Sequence, residues 1–164
     1  MVSPPELLRD DHDFAGFCSG VDALDSWLTQ RALQNQRQRA TRTYVVCHGG
    51  RVIGYHAIAS GALATSGAIG TLRRNMPDPI PMAVLARLAV ATDWQGRGLG
   101  AALFRDAALR VLAAADVIGI RGLMVHAIDD RAVRFYRALG LRTVSADDTT
   151  LMTTLDDLRA ALGP

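Results

Sequence analysis

The run Gln95-Gly96-Arg97-Gly98-Leu99-Gly100 constrains this chain more than any other stretch. It follows Ala83-Val84-Leu85-Ala86-Arg87-Leu88-Ala89-Val90, which is almost continuously apolar, as a buried central strand should be. It leads into a helix expected over Leu99–Ala115, with Leu99, Leu103, Ala107 and Val111 as its buried stripe and Arg105, Asp106 and Arg110 away from it. Glycines let the backbone bend tightly and approach a ligand with no Cβ in the way. The first turn of a helix presents unpaired N–H groups and the positive end of its dipole. Strand, glycine loop and helix in that order make an anion site suited to a pyrophosphate. Two other readings of the glycines stand beside this one. They also suit a plain turn, and a dinucleotide-binding fold uses a related loop. That fold wants G-x-G-x-x-G after the first strand of a parallel βαβ unit. Here the spacing is G-x-G-x-G and the loop lies mid-chain, after an apparent antiparallel hairpin.

The rest of the chain reads around that loop. Residues 22–36 suit a helix with Asp22 as N-cap and Leu24, Trp27, Leu28, Arg31 and Ala32 on one stripe. Thr43–Cys47 reads as a strand, His48-Gly49-Gly50-Arg51 as a turn, and Val52–Ser60 as the returning strand. Residues 61–82, with Pro77, Pro79 and Pro81, read as an irregular loop. After the glycine-loop helix come a buried strand over Arg121–Ala127 and a helix over Asp130–Leu139 that stops at Gly140. Leu141–Val144 and Thr150–Thr154 suit final strands, and a short helix is expected near Asp156–Leu162. The expected architecture is an α/β (α+β) domain, a mixed sheet with helices on both faces.

Composition narrows the chemistry. A length of 164 residues fits one domain, 1–164, and 49% apolar content is enough for a core. All 18 basic side chains are Arg, with no Lys. That excludes a P-loop NTPase and a pyridoxal enzyme, which need their lysines. The bias has two readings, genomic base composition and bidentate phosphate recognition. A net charge of +2 does not separate them. The most apolar run, Ala83–Ala91, is short and carries Arg87, so no membrane span is expected. Glu6, Arg9, Asp10 and Asp11 sit where a signal peptide would be apolar. A cytoplasmic protein is expected. Cys18 and Cys47 are too few for a disulfide scaffold and wrongly spaced for zinc. His12, His48, His56 and His126 are scattered, and each is expected to be a hydrogen-bonded structural histidine. No metal is expected.

Three features together resemble the GCN5-related N-acetyltransferase (GNAT) superfamily. Leu88-Ala89-Val90, a turn and Gln95–Gly100 look like the family's Q/R-x-x-G-x-G/A coenzyme A loop. Ala132-Val133-Arg134-Phe135-Tyr136-Arg137-Ala138-Leu139-Gly140-Leu141 looks like its A-x-x-F-Y-x-x-x-G-F segment. The element order matches as well. The resemblance implies a mostly antiparallel mixed sheet with a splayed strand pair, and acetyl-CoA in the cleft they form. It implies that Leu88, Ala89 and Val90 face the acyl-pantetheine arm, that Gln95, Gly96, Arg97, Gly98, Leu99 and Gly100 hold the pyrophosphate, and that Asp129 and Ala132 lie on the cofactor. Asp129 stands where many members have Asn, and Leu141 replaces the usual Phe. A narrower resemblance links Gly20–Leu28, Ala32–Gln36, Thr41–Val46, Arg73–Pro77 and Ile80-Pro81, leading into Leu85–Val90, to acetyltransferase toxins of bacterial toxin–antitoxin pairs, which usually have Gly where Ala86 stands. It implies an aminoacyl-tRNA substrate, blocked translation, a small ribbon–helix–helix antitoxin and a homodimer.

The residues suit that chemistry. Amine acetylation needs a neutral amine, an acyl thioester and a proton for the departing thiolate. Tyr136, a phenol with an ordinary pKa of about 10, is the natural acid; packing a helix against the core is its alternative role. The strand Ala83–Ala91 carries no Glu, Asp or His to act as base. A Lys amine, at about 10.4, would need one. An α-amino group, at about 7.7–8.0 and lower beside an ester, is already partly neutral near pH 7. Arg37, Arg39, Arg42, Arg73 and Arg74 suit either an RNA phosphate surface or a solvated face, and the toxin resemblance favours RNA. The alternatives are an acetyltransferase for small-molecule or peptide amines, and an acyl-CoA-binding module without turnover.

Overall fold

A computed structural model describes residues 1–163. Six strands are hydrogen-bonded in chain order: β1 (Glu6–Leu7), β2 (Arg42–His48), β3 (Arg51–Leu63), β4 (Ile80–Val90), β5 (Gly122–His126) and β6 (Thr150–Thr154). The helices are α1 (Asp22–Gln30), α2 (Ala32–Arg37), α3 (Gly70–Arg73), α4 (Leu99–Ala115), α5 (Asp130–Ala138) and α6 (Leu155–Leu162). β1, β2 and β3 pair antiparallel, β4 pairs parallel with β5, and β5 pairs antiparallel with β6. The sheet is therefore mixed, as expected. The β4–β5 ladder joins Ala83–Leu85 to Leu123–Val125 only, so Ala86–Val90 of β4 lie outside it. The chain divides into two compact units. The first comprises Met1–Ala59 and Ala86–Ala107, the second Ser60–Leu85 and the residues from Ala108 onward.

In the first unit both faces of the β2–β3 hairpin are buried. Its turn is Gly49-Gly50, with φ of 58° and 79°. Two consecutive left-handed residues give the turn whose twist matches the flanking strands. Val45, Val52 and Tyr55 pack with Trp27, Leu28 and Ala32 of the first two helices. Val46 and Ile53, one residue along each strand, pack with Leu103 of α4. Alternation along β2, with a bulge in β3 at Ile53 opposite Val46/Cys47, feeds both layers. Gly54 sets the α4 spacing. A Cβ there would lie 3.0 Å from Leu103 Cδ1 and 3.2 Å from Val46 Cγ2. A partly buried pair reinforces the join, with His56 Nε2 and Asp106 Oδ2 at 2.7 Å.

In the second unit Leu72, Ile80, Met82, Met124 and Met152 form the core. Arg121 ties α3 to this core by donating to the carbonyls of Thr71 and Leu72.

Several local expectations change. The helix expected over residues 22–36 breaks at Arg31, where φ is −123°, into α1 and α2. Asp22 is the first helical residue rather than the cap. The N-cap is Val21, and Asp25 instead accepts from Ser19 N–H and Oγ. The supposed loop over 61–82 holds the end of β3, α3 and the start of β4. Pro81 fits β4 because its carbonyl, the one polar group it offers, accepts from Arg121 N–H. Leu141–Val144 contributes only a bridge from Arg142 to Met152. Asp106, expected to face away, turns in to His56.

Replacing Gly54 by Val should push α4 off the hairpin and cost about 1–3 kcal/mol, the range for overpacking a filled core. Gly119→Ala, where a Cβ meets open space, should stay within about 0.5 kcal/mol of the parent. Urea unfolding of both variants checks this.

Candidate active site

The glycine loop is pinned at its start by one side chain. Gln95 Nε2 donates to Ser19 O at 2.8 Å and to Val90 O at 2.9 Å. It ties the end of β4 to the segment before α1. Thr92–Trp94 forms a single 3₁₀ turn, with Thr92 N–H donating to Cys18 O. Ala91 N–H donates to Ile53 O and keeps this corner on β3. The chain then crosses Gly96 and Gly98 at φ of 76° and 83°. Side chains rarely adopt that region, and a Cβ at either glycine would meet no atom within 4 Å. The backbone is exposed here and open to a ligand. Ala102 N–H donates to Gly98 O, so α4 starts directly after the second of these glycines. The N–H groups of its first turn have no carbonyl one turn back. No acidic residue lies in that turn. Seventeen aligned residues put a positive dipole end at the loop. These features fit a pyrophosphate.

Leu88 and Val90 pack on the α4 side with Trp94 and Leu99, while Ala89 is buried among the Trp27 cluster. Arg97 is exposed but lies against an aromatic ring. Its guanidinium carbon lies 4.7 Å from the Trp94 ring centroid, and His48 packs against the same indole at 4.9 Å.

The second unit carries the other expected site residues. Asp129 is the N-cap of α5, and its Oδ1 accepts from Ala132 N–H at 2.8 Å. The amide of Ala132 is thereby engaged in capping the helix. Tyr136 is 6% exposed on α5, and its ring meets Phe135 edge-on at 5.0 Å. Burial pushes its phenol well above the ordinary value. A phenol so placed holds its proton through the neutral range and is suited to donate it rather than to act as a base.

The arginines separate into two groups. Arg37, at the end of α2, Arg39, at φ 63°, and Arg42, opening β2, lie exposed in the first unit. Arg37 makes one loose contact, 3.8 Å to Asp10. Arg73 and Arg74, exposed at the end of α3, lie in the second.

Sequence reasoning missed one cluster of ligand-type residues. Atoms of Glu6, His12 and Cys47 all lie within 4.8 Å of one another. The hydrogen bonds identify it as a neutral imidazole hydrogen-bonded to a carboxylate. Arg9 N–H donates to His12 Nδ1, so the ring proton sits on Nε2 and is donated to Glu6 Oε1 at 2.8 Å. An ion on Nε2 would displace that proton while Nδ1 stays an acceptor. That hydrogen bond, with Arg9 beside it, holds the Glu6 carboxyl below its ordinary value. Burial pushes the Cys47 thiol up, against the thiolate a metal requires. All four histidines are hydrogen-bonded, as expected.

Residues 39–142 match the acetyltransferase (GNAT) domain family. The chain is 45% identical over 161 residues to the tRNA-acetylating toxin of Mycobacterium tuberculosis (strain ATCC 25618 / H37Rv), covering 98% of this chain and 97% of that protein. The structure of AtaT complexed with acetyl-methionyl-tRNAfMet is similar at TM-score 0.88 and 27% identity, over 98% of each chain. A mutant AtaT toxin bound to the C-terminus of the antitoxin AtaR and acetyl-CoA is similar at TM-score 0.83 and 27% identity, over 99% of each chain. The chain belongs to the GNAT acetyltransferase family.

Proposed function

We propose that this acetyltransferase moves the acetyl group of acetyl-CoA to the α-amino group of an aminoacyl-tRNA and so acts as a translation-blocking toxin. One observation carries the reading: 45% identity to a tRNA-acetylating toxin, sustained over 98% of the chain. The two compact units work as one domain in this reading, since β3, β4 and α4 each run from one into the other.

The glycine loop and the start of α4 bind the pyrophosphate, and Leu88–Val90 lie along the acyl-pantetheine arm. Acetyl-CoA supplies the activated acyl group. The amine nitrogen bonds to the acyl carbon as the carbon–sulfur bond breaks. Tyr136 donates its phenolic proton to the departing sulfur, and the proton the nitrogen sheds on becoming an amide passes through water back to the Tyr136 oxygen, restoring the phenol. Nothing on Ala83–Ala91 takes that proton. A substrate amine that is already neutral removes the need for a base there, and an aminoacyl ester provides one. Arg37, Arg39, Arg42, Arg73 and Arg74 meet tRNA phosphates. The AtaT relative is bound to the C-terminus of its antitoxin AtaR. By analogy an antitoxin restrains this chain, and we assign it the ribbon–helix–helix class, with the toxin a cytoplasmic homodimer.

Gly98→Asp adds a side chain at φ 83° and a negative charge where the pyrophosphate docks. Calorimetry on the folded variant should show acetyl-CoA affinity reduced at least about tenfold, the scale of a lost charge-assisted contact. Unchanged affinity would remove the loop from the site.

Tyr136→Phe deletes one oxygen. Turnover on charged tRNA should fall by about 10²–10⁴ while acetyl-CoA affinity stays within about twofold. In cells lacking the antitoxin, the wild-type chain should arrest growth and Tyr136→Phe should not. A variant with full turnover would make Tyr136 a packing residue. Efficient acetylation of a free polyamine or peptide, with charged tRNA left unmodified, would favour the amine-acetyltransferase alternative.

A further inference from the structure

Arg87 differs from the exposed arginines discussed above. It is partly buried in the middle of β4. Its guanidinium carbon lies 5.1 Å from the centroid of Trp27. Trp27 is in turn stacked on Tyr55, at 5.9 Å and 12° between planes. The Tyr55 hydroxyl donates to Leu24 O at 2.6 Å. Arg87 therefore rests on a buried aromatic column anchored in α1. One of its N–H groups, on Nη1, donates to Ala86 O at 2.7 Å. Among the described residues no carboxylate forms an ion pair with it. Asp25, whose charge is also felt at Tyr55, is already engaged by Ser19 N–H and Oγ.

A guanidinium drawn partly out of water loses hydration, and the face of an indole replaces only part of it. Its remaining donors form a planar fork that matches an oxyanion. The anion is not the coenzyme's pyrophosphate. Side chains alternate along a strand, so Arg87 shares its side of β4 with Ala89, which packs in the Trp27 cluster. Leu88 and Val90 take the other side, with Leu99 at the start of α4. Trp94 and Leu99, which flank the glycine loop, pack in that other layer. Arg87 thus belongs to the α1–α2 layer, where α2 ends in Arg37 with Arg39 just beyond.

We propose that Arg87 binds a phosphodiester in the single-stranded 3′ end of the acceptor RNA and so positions the aminoacyl ester. The proposal rests on the aminoacyl-tRNA reading above. Arg87 is a specificity residue in it, not a proton carrier.

The test measures binding of two RNAs without acetyl-CoA: uncharged tRNA, and the same tRNA trimmed of its single-stranded 3′ end. Arg87→Gln should bind intact tRNA roughly ten- to a hundredfold more weakly, the scale for losing a charged hydrogen bond. The slope of log affinity against log salt should fall by about one. On trimmed tRNA the variant and wild type should agree within about twofold, and acetyl-CoA affinity should not change. Arg87→Lys keeps the charge and guards against misfolding of the Gln variant. It should retain the salt slope but recover only part of the intact-tRNA affinity. Wild-type affinity for intact tRNA, equal losses on both RNAs, or weakened acetyl-CoA binding would each overturn the proposal. If the wild-type chain binds no tRNA at all, the aminoacyl-tRNA reading itself fails and takes this one with it.

Discussion

Everything in the first unit turns on how β4 hands over to α4. A buried strand must end, and a helix must begin with its N–H groups bare, within a few residues. Gln95 makes this possible. Its amide nitrogen bridges Ser19 O and Val90 O, satisfying two carbonyls and holding the corner still. The reversal beyond it needs left-handed backbone at Gly96 and Gly98, which only glycine adopts without strain. The helix that follows is held in place by close packing, Leu103 lying over the missing Cβ of Gly54. His56 and Asp106 add a partly buried hydrogen bond between the same two elements. Core packing and these hydrogen bonds therefore position the glycine loop and the start of α4.

Those features were legible because each has a short-range signature. The glycine spacing, the apolar run before it and the helical stripe after it placed α4 at Leu99–Ala115, the observed bounds. Gly140 stopped α5 as expected, with φ 98° just beyond the C-cap Leu139. What was not legible depends on contacts distant in sequence. The helix break at Arg31 follows no proline or glycine. Asp25 reads as an ordinary helix residue until Ser19 folds back onto it. The prolines near Ile80 signalled a loop, yet Pro81 sits in β4 because a partner on the segment before β5 needs only its carbonyl. Four-residue α3 is too short to show a period.

The candidate site divides in the same way. The loop glycines and Tyr136 stand in recognisable motifs. The hidden parts are pairings. Arg97 is held over Trp94, Asp129 is occupied as a cap, and Arg87 rests on a column of Trp27 and Tyr55. Spacing along the chain cannot announce a cation–π contact between residues 60 positions apart. The chemistry is spare for a related reason. With β4 given over to apolar packing and one arginine, the proposed chemistry has a buried phenol supply the proton and the acceptor arrive already neutral.

That division of labour is the central claim, and the fate of the aminoacyl end of tRNA tests it directly. Purified protein, acetyl-CoA and total charged tRNA would be incubated, and the 3′ aminoacyl-adenosine released by nuclease would be weighed by mass spectrometry. The account predicts a gain of one acetyl group, about 42 Da, on the α-amino group of at least one aminoacyl species, with the uncharged tRNA unchanged. Aminoacyl ends of unaltered mass, under conditions where the protein binds acetyl-CoA and tRNA, would contradict it.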